Sequence, residues 1–417
     1  MKQPSILRRS AGFVVSFLLA MCWFSPMQQT LRSLPDTLTL TQGQVSSLRL
    51  GGLTLTSDAL SVTSSGDETL ASVGAVDVVS HIAGRAEMCL SLFGIPLRRV
   101  EVEVSPEKRL IPGGMALGVA MRTEGVLIVG VSDVASGVSP AKDAGLQAGD
   151  VILNVGGLPV PTAERLTELL NQHGPQPVHI AYQRDGQSRT ALLTPHRDES
   201  TGAVRLGAWV RDSTAGVGTL SFYDPDTGRY AALGHAITDG DTGAVLSVSE
   251  GQVLKANIVA VQKGQKGMPG ELKGSFLREG EVLGDIRRNS ILGIYGTLET
   301  QAKNPLYPEG LPIGLRSGVH TGAATILSSV DGAGVQEYAI EITRVNQQSA
   351  PAPKSMVIRV TDERLLEATG GIVQGMSGSP ILQDGRIIGA VTHVFVSDPT
   401  QGYGLYVDWM LQESGKV

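Results

Sequence analysis

The sequence predicts a mostly β protein: an N-terminal apolar segment, a mixed unit of strands with one amphipathic helix, and a C-terminal pair of β-barrels. Three observations carry this. Glycine is abundant (52 of 417 residues) while aromatics make up only 4%, which favours short strands and turns over long helices. From about Val204 to the end, short apolar strands recur between Gly, Asp-Gly and Pro turns, the pattern of a barrel. Between Leu110 and His196, strands surround one helix of clean amphipathic spacing.

The chain is long enough for two or three domains, each with its own core. Net charge is −6 and no long basic run occurs, so nucleic-acid binding has no electrostatic support. The two cysteines are Cys22, in the apolar segment, and Cys89; a disulfide between them is not expected. No Cys/His cluster has zinc spacing and His-Glu-x-x-His is absent, so neither metal nor cofactor is expected.

Residues 1–30 read as an address. Lys2, Arg8 and Arg9 precede an apolar run from Ala11 to about Phe24 that ends at Ser25-Pro26. That is a secretory signal or a retained signal anchor, though the run is short against the roughly 20 residues of a comfortable span. Leu19-Ala20-Met21-Cys22 approximates a lipoprotein box, with Met where a small residue belongs. A retained anchor is the preferred reading and a cleaved signal the alternative. Either way the positive flank predicts that the rest of the chain is exported, with the membrane a partner through this segment.

Residues 31–105 carry no visible chemistry. Leu97 to Val104 alternates strictly and should be a strand. The region is expected to be mostly β, or a stalk.

Residues 106–197 form the mixed unit. Ala116–Met121 reads as a glycine-interrupted strand, Val126–Val131 as a buried strand, and Pro140–Leu146 as a short helix. Gln147–Gly157 is a turn and strand. Thr162 to His173 is the amphipathic helix, capped by Thr162 and stopped by Gly174. Val178–Gln183 and Ser188–Leu193 close a hairpin across Asp185-Gly186. With Ala144-Gly145-Leu146-x-x-Gly149-Asp150-x-Ile152 and Ala116-Leu117-Gly118-Val119, the unit resembles the PDZ domains of bacterial exported proteases. The resemblance implies that Leu117, Gly118 and Val119 present backbone N–H groups to a peptide carboxylate, with an extended peptide or protein segment as partner. A PDZ-shaped spacer without a ligand is the plain alternative.

Residues 204–417 hold the candidate chemistry. In Gly375-Met376-Ser377-Gly378-Ser379-Pro380 a serine sits between glycines ahead of the hairpin Ile381–Val391, which turns at Asp384-Gly385. Chymotrypsin-like proteases present their nucleophile this way. The sharp turn aims the Ser377 hydroxyl and the N–H groups of Gly375 and Ser377 at one point, as an oxyanion hole requires. A serine nucleophile needs a base. Of seven histidines, only His235, His320 and His393 fall in this unit, and His235 follows the Ala-rich strand end Tyr230–Gly234. For the orienting acid, spacing prefers Asp285 over Asp362, which lies unusually close before Ser377. Thr392 and His393 fall where a strand would wall the specificity pocket, so His393 is a candidate for selecting a polar residue before the cut; a plain strand histidine is the alternative. Lys263–Glu271 lacks the Gly-Lys-Ser/Thr ending of a phosphate loop and reads as a mobile loop near the cleft or a simple turn.

Several long motifs extend over this unit: Gly234-His235-Ala236-Ile237-Thr238-Asp239, Gln262-Lys263-Gly264-x-x-Gly267-x-Pro269-Gly270-Glu271, Lys354-Ser355-Met356-x-Ile358-x-Val360-Thr361-Asp362, Gly370 to Pro380, and Gly389 to Val396. In these the chain resembles the stage IV sporulation protein B peptidase family of PDZ-bearing serine peptidases. The resemblance implies a PDZ domain followed by a chymotrypsin-like double β-barrel, with His235, Asp362 and Ser377 as the triad. It also implies export to the space between forespore and mother cell, a membrane-associated protein substrate, and activation of an intramembrane protease and a late sigma factor. Two other classes stand beside it. A catalytically silent PDZ scaffold would have lost a triad member. A general quality-control protease of the HtrA type would place its PDZ domain after the protease.

Overall fold

The computed structural model describes residues 37–417 except 43–45, 50–52, 58–59, 65–74, 81–83, 106, 277–280 and 349. The expected signal or anchor, Cys22 and His81 lie outside the described residues. Among the described residues no helix is long and apolar enough to cross a membrane. The chain divides into two compact units. One holds the described residues up to Lys108 with Pro312–Val319; the other holds Arg109–Leu311 and His320–Val417.

The first unit contains β1 (Thr37–Thr41), β2 (Ser46–Arg49), β3 (Thr54–Thr56), β4 (Ser61–Ser64), β5 (Ala75–Val79), β6 (Gly84–Leu92) and β7 (Ile95–Ser105). They form two sheets, ordered β1-β7-β6-β3 and β2-β5-β4. The alternation read from sequence at 97–104 is β7. Its every-second residues Val100, Val102 and Val104 pack with Leu40, Val78 and Met88.

The second unit is mostly β and joins a PDZ-like sheet-and-helix domain to two β-barrels. Its early elements are β8 (Arg109–Pro112), β9 (Ala116–Val131), α1 (Pro140–Asp143), β10 (Val151–Val155), β11 (Leu158–Pro159), α2 (Ala163–His173), β12 (Val178–Arg184), β13 (Gln187–Leu193), β14 (His196–Arg197), β15 (Val204–Arg205) and β16 (Ala208–Tyr223). The helix signals hold: the Thr162 hydroxyl accepts from the Arg165 N–H, and Gly174 stops α2 at φ 74°. Asp185 and Gly186 take φ 51° and 75° in the β12–β13 hairpin, the left-handed pair such a two-residue turn requires. The PDZ sheet runs β13-β12-β10-β9-β16. One of its faces is buried under α2 through Val126, Ile128, Ile152, Leu166, Leu169 and Leu170.

β9 and β16 are each 16 residues long and belong to two domains. Their far halves, Leu127–Val131 against Ala208–Arg211, lie in the PDZ sheet; their near halves, Ala116–Arg122 against Ser213–Thr219, lie in the first barrel. The ladder breaks where they cross, between Arg211 and Ser213, and there the Thr123 hydroxyl donates to the Asp212 carbonyl. Sequence order placed Ala116–Met121 inside the PDZ unit. In space the PDZ-like domain is an insertion between the first two strands of a β-barrel that has already begun.

That barrel continues with β17 (Arg229–Ala232), β18 (Glu250–Lys255), β21 (Val282–Asp285), β22 (Arg288–Ser290) and β23 (Gly293–Thr297). β16 pairs with β17 and β17 with β23, while β18 pairs with both β9 and β21. A Gly284–Leu298 bridge closes the ring between β21 and β23. Its interior is Leu117, Val119, Leu220, Tyr230, Val253 and Ile294. The hairpin of β19 (Asn257–Gln262) and β20 (Glu271–Ser275) leaves the ring, and β24 (Leu311–Pro312) follows it. Residues 245–248, apolar at three of four positions, form no strand beyond a single bridge from Val245 to Thr238. Leu246 is instead buried against Met121 and Leu127, with Val248 beside it.

The second barrel is a closed ring, β25-β26-β27-β30-β29-β28. Its strands are β25 (Gly322–Ser328), β26 (Gln336–Val345), β27 (Met356–Val360), β28 (Pro380–Gln383), β29 (Arg386–Phe395) and β30 (Asp398–Tyr406). Helix α3 (Glu363–Thr369) follows β27, and α4 (Val407–Ser414) ends the chain.

Candidate active site

Ser377 sits in the turn between α3 and β28. Gly375 and Gly378 flank it with φ 95° and 99°, a region that a residue with Cβ enters only with strain. At Gly378 a Cβ would also lie 2.1 Å from the Thr219 carbonyl oxygen. The turn is held to the first barrel at both ends: the Thr219 N–H donates to the Ser377 carbonyl (3.0 Å) and the Thr219 hydroxyl to the Gly375 carbonyl (2.7 Å). It is held from a third side by β20, whose Leu272 N–H donates to the Gln374 carbonyl. The Lys263–Glu271 loop, expected to be mobile or a plain turn, is anchored. Gly264 and Gly267 donate to the Thr369 and Val396 carbonyls. Sequence reasoning missed this brace, because the only local signal was a glycine-rich loop.

His235 follows β17 and faces the same cleft. This cleft, about 730 Å³, is lined by Ser377, Gly375, His235, Thr392, His393 and the β16 segment Thr214–Val217, among others. The His235 Nδ1 lies 2.8 Å from the Ala236 carbonyl oxygen. Because only a protonated nitrogen can donate to a carbonyl, that contact fixes the proton on Nδ1 and leaves Nε2 free to act as a base. Burial lowers the His235 pKa, against a smaller opposing effect of the Ala236 contact, so the ring is neutral near pH 7. The His393 ring centroid is 5.1 Å from that of His235. Desolvation, then the neighbouring His235 and Lys354, push the His393 pKa down to about 4.

The Ser377 hydroxyl donates to the Thr392 carbonyl at 2.8 Å, so its proton is turned away from His235. Among the described residues, the N–H groups of Gly375 and Ser377 have no protein acceptor. Nucleophile, base and two open donors therefore share one cleft.

Neither candidate acid reaches His235. Asp362 caps α3. It accepts from the N–H groups of Arg364 and Ala339 (3.0 and 3.1 Å) and from the Arg364 guanidinium (2.8 Å). Hydrogen bonding to Arg364 holds its pKa down at about 2. Asp285 is tied to the Thr297 N–H and to Arg287; burial would raise its pKa, but these bonds outweigh it. The expected His235–Asp362 pairing is thus absent from this conformation, since each carboxylate is saturated by local donors. The residue that does hold the base segment is Asn289, the middle residue of β22. Its side chain accepts from the Ile237 N–H and donates to the Ile237 carbonyl, both at 2.8 Å.

The segment after His235 is built on the PDZ sheet. Ile237, Leu246 and Val248 pack on Met121, Leu127, Val129 and Val151, the sheet face opposite α2. Arg211 of β16 pairs with buried Asp239 and, at 2.9 Å, with Asp241. At Asp239 burial alone would raise the pKa, but the Thr242 and Asp241 N–H groups and Arg211 bring it below its ordinary value.

Leu117, Gly118 and Val119 are not a carboxylate loop. Each lies in β9 between β16 and β18, so ladder bonds occupy the backbone on both sides. Leu117 and Val119 are core residues of the first barrel. The sequence matched an apolar-Gly-apolar pattern whose strand partners lie about a hundred residues away.

A family model described as "SpoIVB peptidase S55" matches residues 202–411, half of the chain. The chain belongs to the SpoIVB peptidase S55 family. A PDZ domain model matches residues 113–194, a range that includes the part of β9 lying in the first barrel. Among curated proteins, the chain is 35% identical over 71 residues to one described as a zinc metalloprotease of Treponema pallidum, and 36% identical over 91 residues to another of Bartonella henselae. It spans only 16% and 24% of their lengths. Solved structures include the Rv3671c protease of M. tuberculosis in its active form (16% identity, TM-score 0.27, 49% of this chain and 74% of that one). The HtrA-type protease AlgW with a decapeptide is another (14%, 0.28, 52% and 57%). Family membership makes the chain a serine peptidase with a PDZ domain. Among the described residues no group of three or more His, Cys, Asp or Glu could hold a metal ion.

Proposed function

We propose that the chain is an exported regulatory serine endopeptidase of endospore formation, acting on a membrane-associated protein regulator between forespore and mother cell. The observation that carries the chemistry is the convergence of Ser377, His235 and the open Gly375 and Ser377 N–H groups on one cleft. Ser377 attacks the scissile carbonyl after its hydroxyl rotates from Thr392 toward His235 Nε2. His235 takes the proton and returns it to the leaving amine. The two N–H groups hold the oxyanion, each worth a factor of about 10² to 10³. The Ala236 carbonyl keeps the tautomer, and water releases the acyl-enzyme. Thr392 and His393 wall the pocket for the residue before the cut. The sporulation role, the regulator, export and attachment through residues 1–30 rest on the family and on the positive, apolar N-terminus.

The parked Ser377 hydroxyl favours a second reading, a PDZ scaffold that binds its partner without cutting. A serine-directed fluorophosphonate separates the two. Wild type is expected to label at Ser377, with Ser377→Ala and His235→Ala unlabelled. Absence of labelling in the full chain with its membrane partner present supports the scaffold. Replacing the native gene with the Ser377→Ala form tests the cellular role: spore development that proceeds normally overturns it.

A further inference from the structure

We propose that the outward edge of β16 is a substrate-binding strand, on which the polypeptide C-terminal to the cut pairs and runs from the catalytic cleft into the PDZ domain. The proposal rests on the serine-endopeptidase reading above and names how that site holds its substrate.

β16 pairs on one side with β9 from Ala208 to Thr219. On its other side strand partners begin only at Leu220, and no isolated bridge falls on residues 208–217. At Thr219 that outward side is occupied, because its N–H donates to the Ser377 carbonyl and its carbonyl accepts from Leu233. The register is unbroken from Ser213 to Thr219. Strand alternation therefore turns the N–H and C=O groups of Val217, Ala215 and Ser213 outward as well. They lead away from the nucleophile turn in single file. Ala215 and Gly216 are exposed, and Thr214–Val217 form a wall of the cleft.

An open edge of this length is a liability that proteins ordinarily blunt with Lys, Pro or a covering element. Residues 213–217 contain no Lys, Pro, charged residue or register shift; Arg211, Asp212 and the shifts beside them fall only in the far half. The occupant follows from the chemistry. His235 must protonate the leaving amine, so the leaving segment exits on the His235 side, which is the side of the first barrel and β16. Pairing along a strand edge asks only for an extended backbone. From Val217 to Ala208 is nine residues, about 30 Å at about 3.3 Å each. The far half, Ala208–Arg211, is the outer strand of the PDZ sheet, and Asp212 caps α2 through the Ala163 N–H at 2.9 Å. A leaving segment of about ten residues thus reaches from the scissile bond to the PDZ strand.

The test uses the full chain and internally quenched peptides that share one acyl side and carry leaving sides of 3, 6, 10 and 14 residues. The expected result is a rise in kcat/KM of about tenfold or more between 3 and 10 residues, carried by KM, with no further gain at 14. Single N-methyl groups walked along the 10-residue leaving side should raise KM at alternate positions and be silent between them, the signature of a strand edge. A flat length series, or N-methyl effects without alternation, overturns the proposal. Fluorophosphonate labelling of the same preparation is read in parallel. Labelling with a flat series refutes the β16 site alone, whereas no labelling and no cleavage refutes the peptidase reading on which it stands.

Discussion

The two barrels of the second unit follow the same six-strand plan but are assembled from the chain in different ways. The second barrel uses one stretch, 322–406, with no domain inserted in it. The first opens with Ala116–Arg122, gives way to the PDZ domain and resumes at Ser213. The second presents Ser377 on a turn clamped by backbone bonds to Thr219 and Leu272. The first presents His235 ahead of a segment that rests on the back of the PDZ sheet and is tethered to it by Arg211. The base segment therefore has a second support that the nucleophile turn lacks: besides Asn289 of the first barrel, it leans on the PDZ sheet.

The largest effect should come from removing either half of the pair. Ser377→Ala and His235→Ala should each lower kcat roughly 10⁴- to 10⁶-fold with folding intact, and the double variant should be little worse than either. Multiplying losses in steady-state kinetics would mean that the two residues do not work together.

Arg211→Ala should separate the barrels. It leaves the Asp239 carboxylate buried without its cation. The expected loss is about 1–3 kcal/mol in chemical denaturation, less than for a fully buried pair because the Arg211 side chain is 40% exposed. Turnover should fall with it while the Ser377 turn keeps its hydrogen-exchange protection. Unchanged turnover would remove the connection between PDZ sheet and base.

The pH dependence follows from the two cleft histidines. Both have pKa values below the ordinary 6.5, and His393 reaches about 4. As pH falls below 6.5 the unfolded chain takes up these protons first, so stability from the neutral rings is present above 6.5 and lost toward 4. The acid limb of kcat/KM should likewise lie below pH 6.5. A limb above it would mean that His235 is charged in the free enzyme.

Asp362→Asn belongs to the second barrel alone. Asn still caps α3, but the Arg364 pair is lost, with an expected cost of about 1 kcal/mol. That contribution is present above pH 3.8 and disappears as pH falls toward 2. A fall in kcat of about 10⁴ with unchanged stability would instead place Asp362 at His235 in the working enzyme. His393→Ala, the mildest change, should shift the preferred residue before the cut in cleavage profiling; an unchanged profile would leave His393 a bystander.

Much of this molecule was legible where the information is local. The α2 helix carries its own cap and stop in Thr162 and Gly174. The Asp185-Gly186 and Asp384-Gly385 turns need left-handed backbone, which Asp-Gly supplies. The nucleophile turn could be read because only glycine tolerates the positions around Ser377. Short strands and turns announced the second barrel, where β25–β26, β26–β27, β28–β29 and β29–β30 each pair consecutive strands.

Tertiary structure decided what depends on distant partners. Ala116–Val119 has the composition of a PDZ loop, but β16 and β18 claim its backbone from both sides and bury it in a protease barrel. Val245–Val248 has the composition of a strand, but burying Leu246 against the PDZ sheet outweighs an edge pairing. Asp362 has the sequence context of a triad acid, yet Arg364 and the α3 N-terminus are closer donors. A sequence specifies turns, caps and apolar periodicity because these are satisfied within a few residues. Which strand a backbone pairs with, and which cation a carboxylate meets, are settled only when the chain closes on itself.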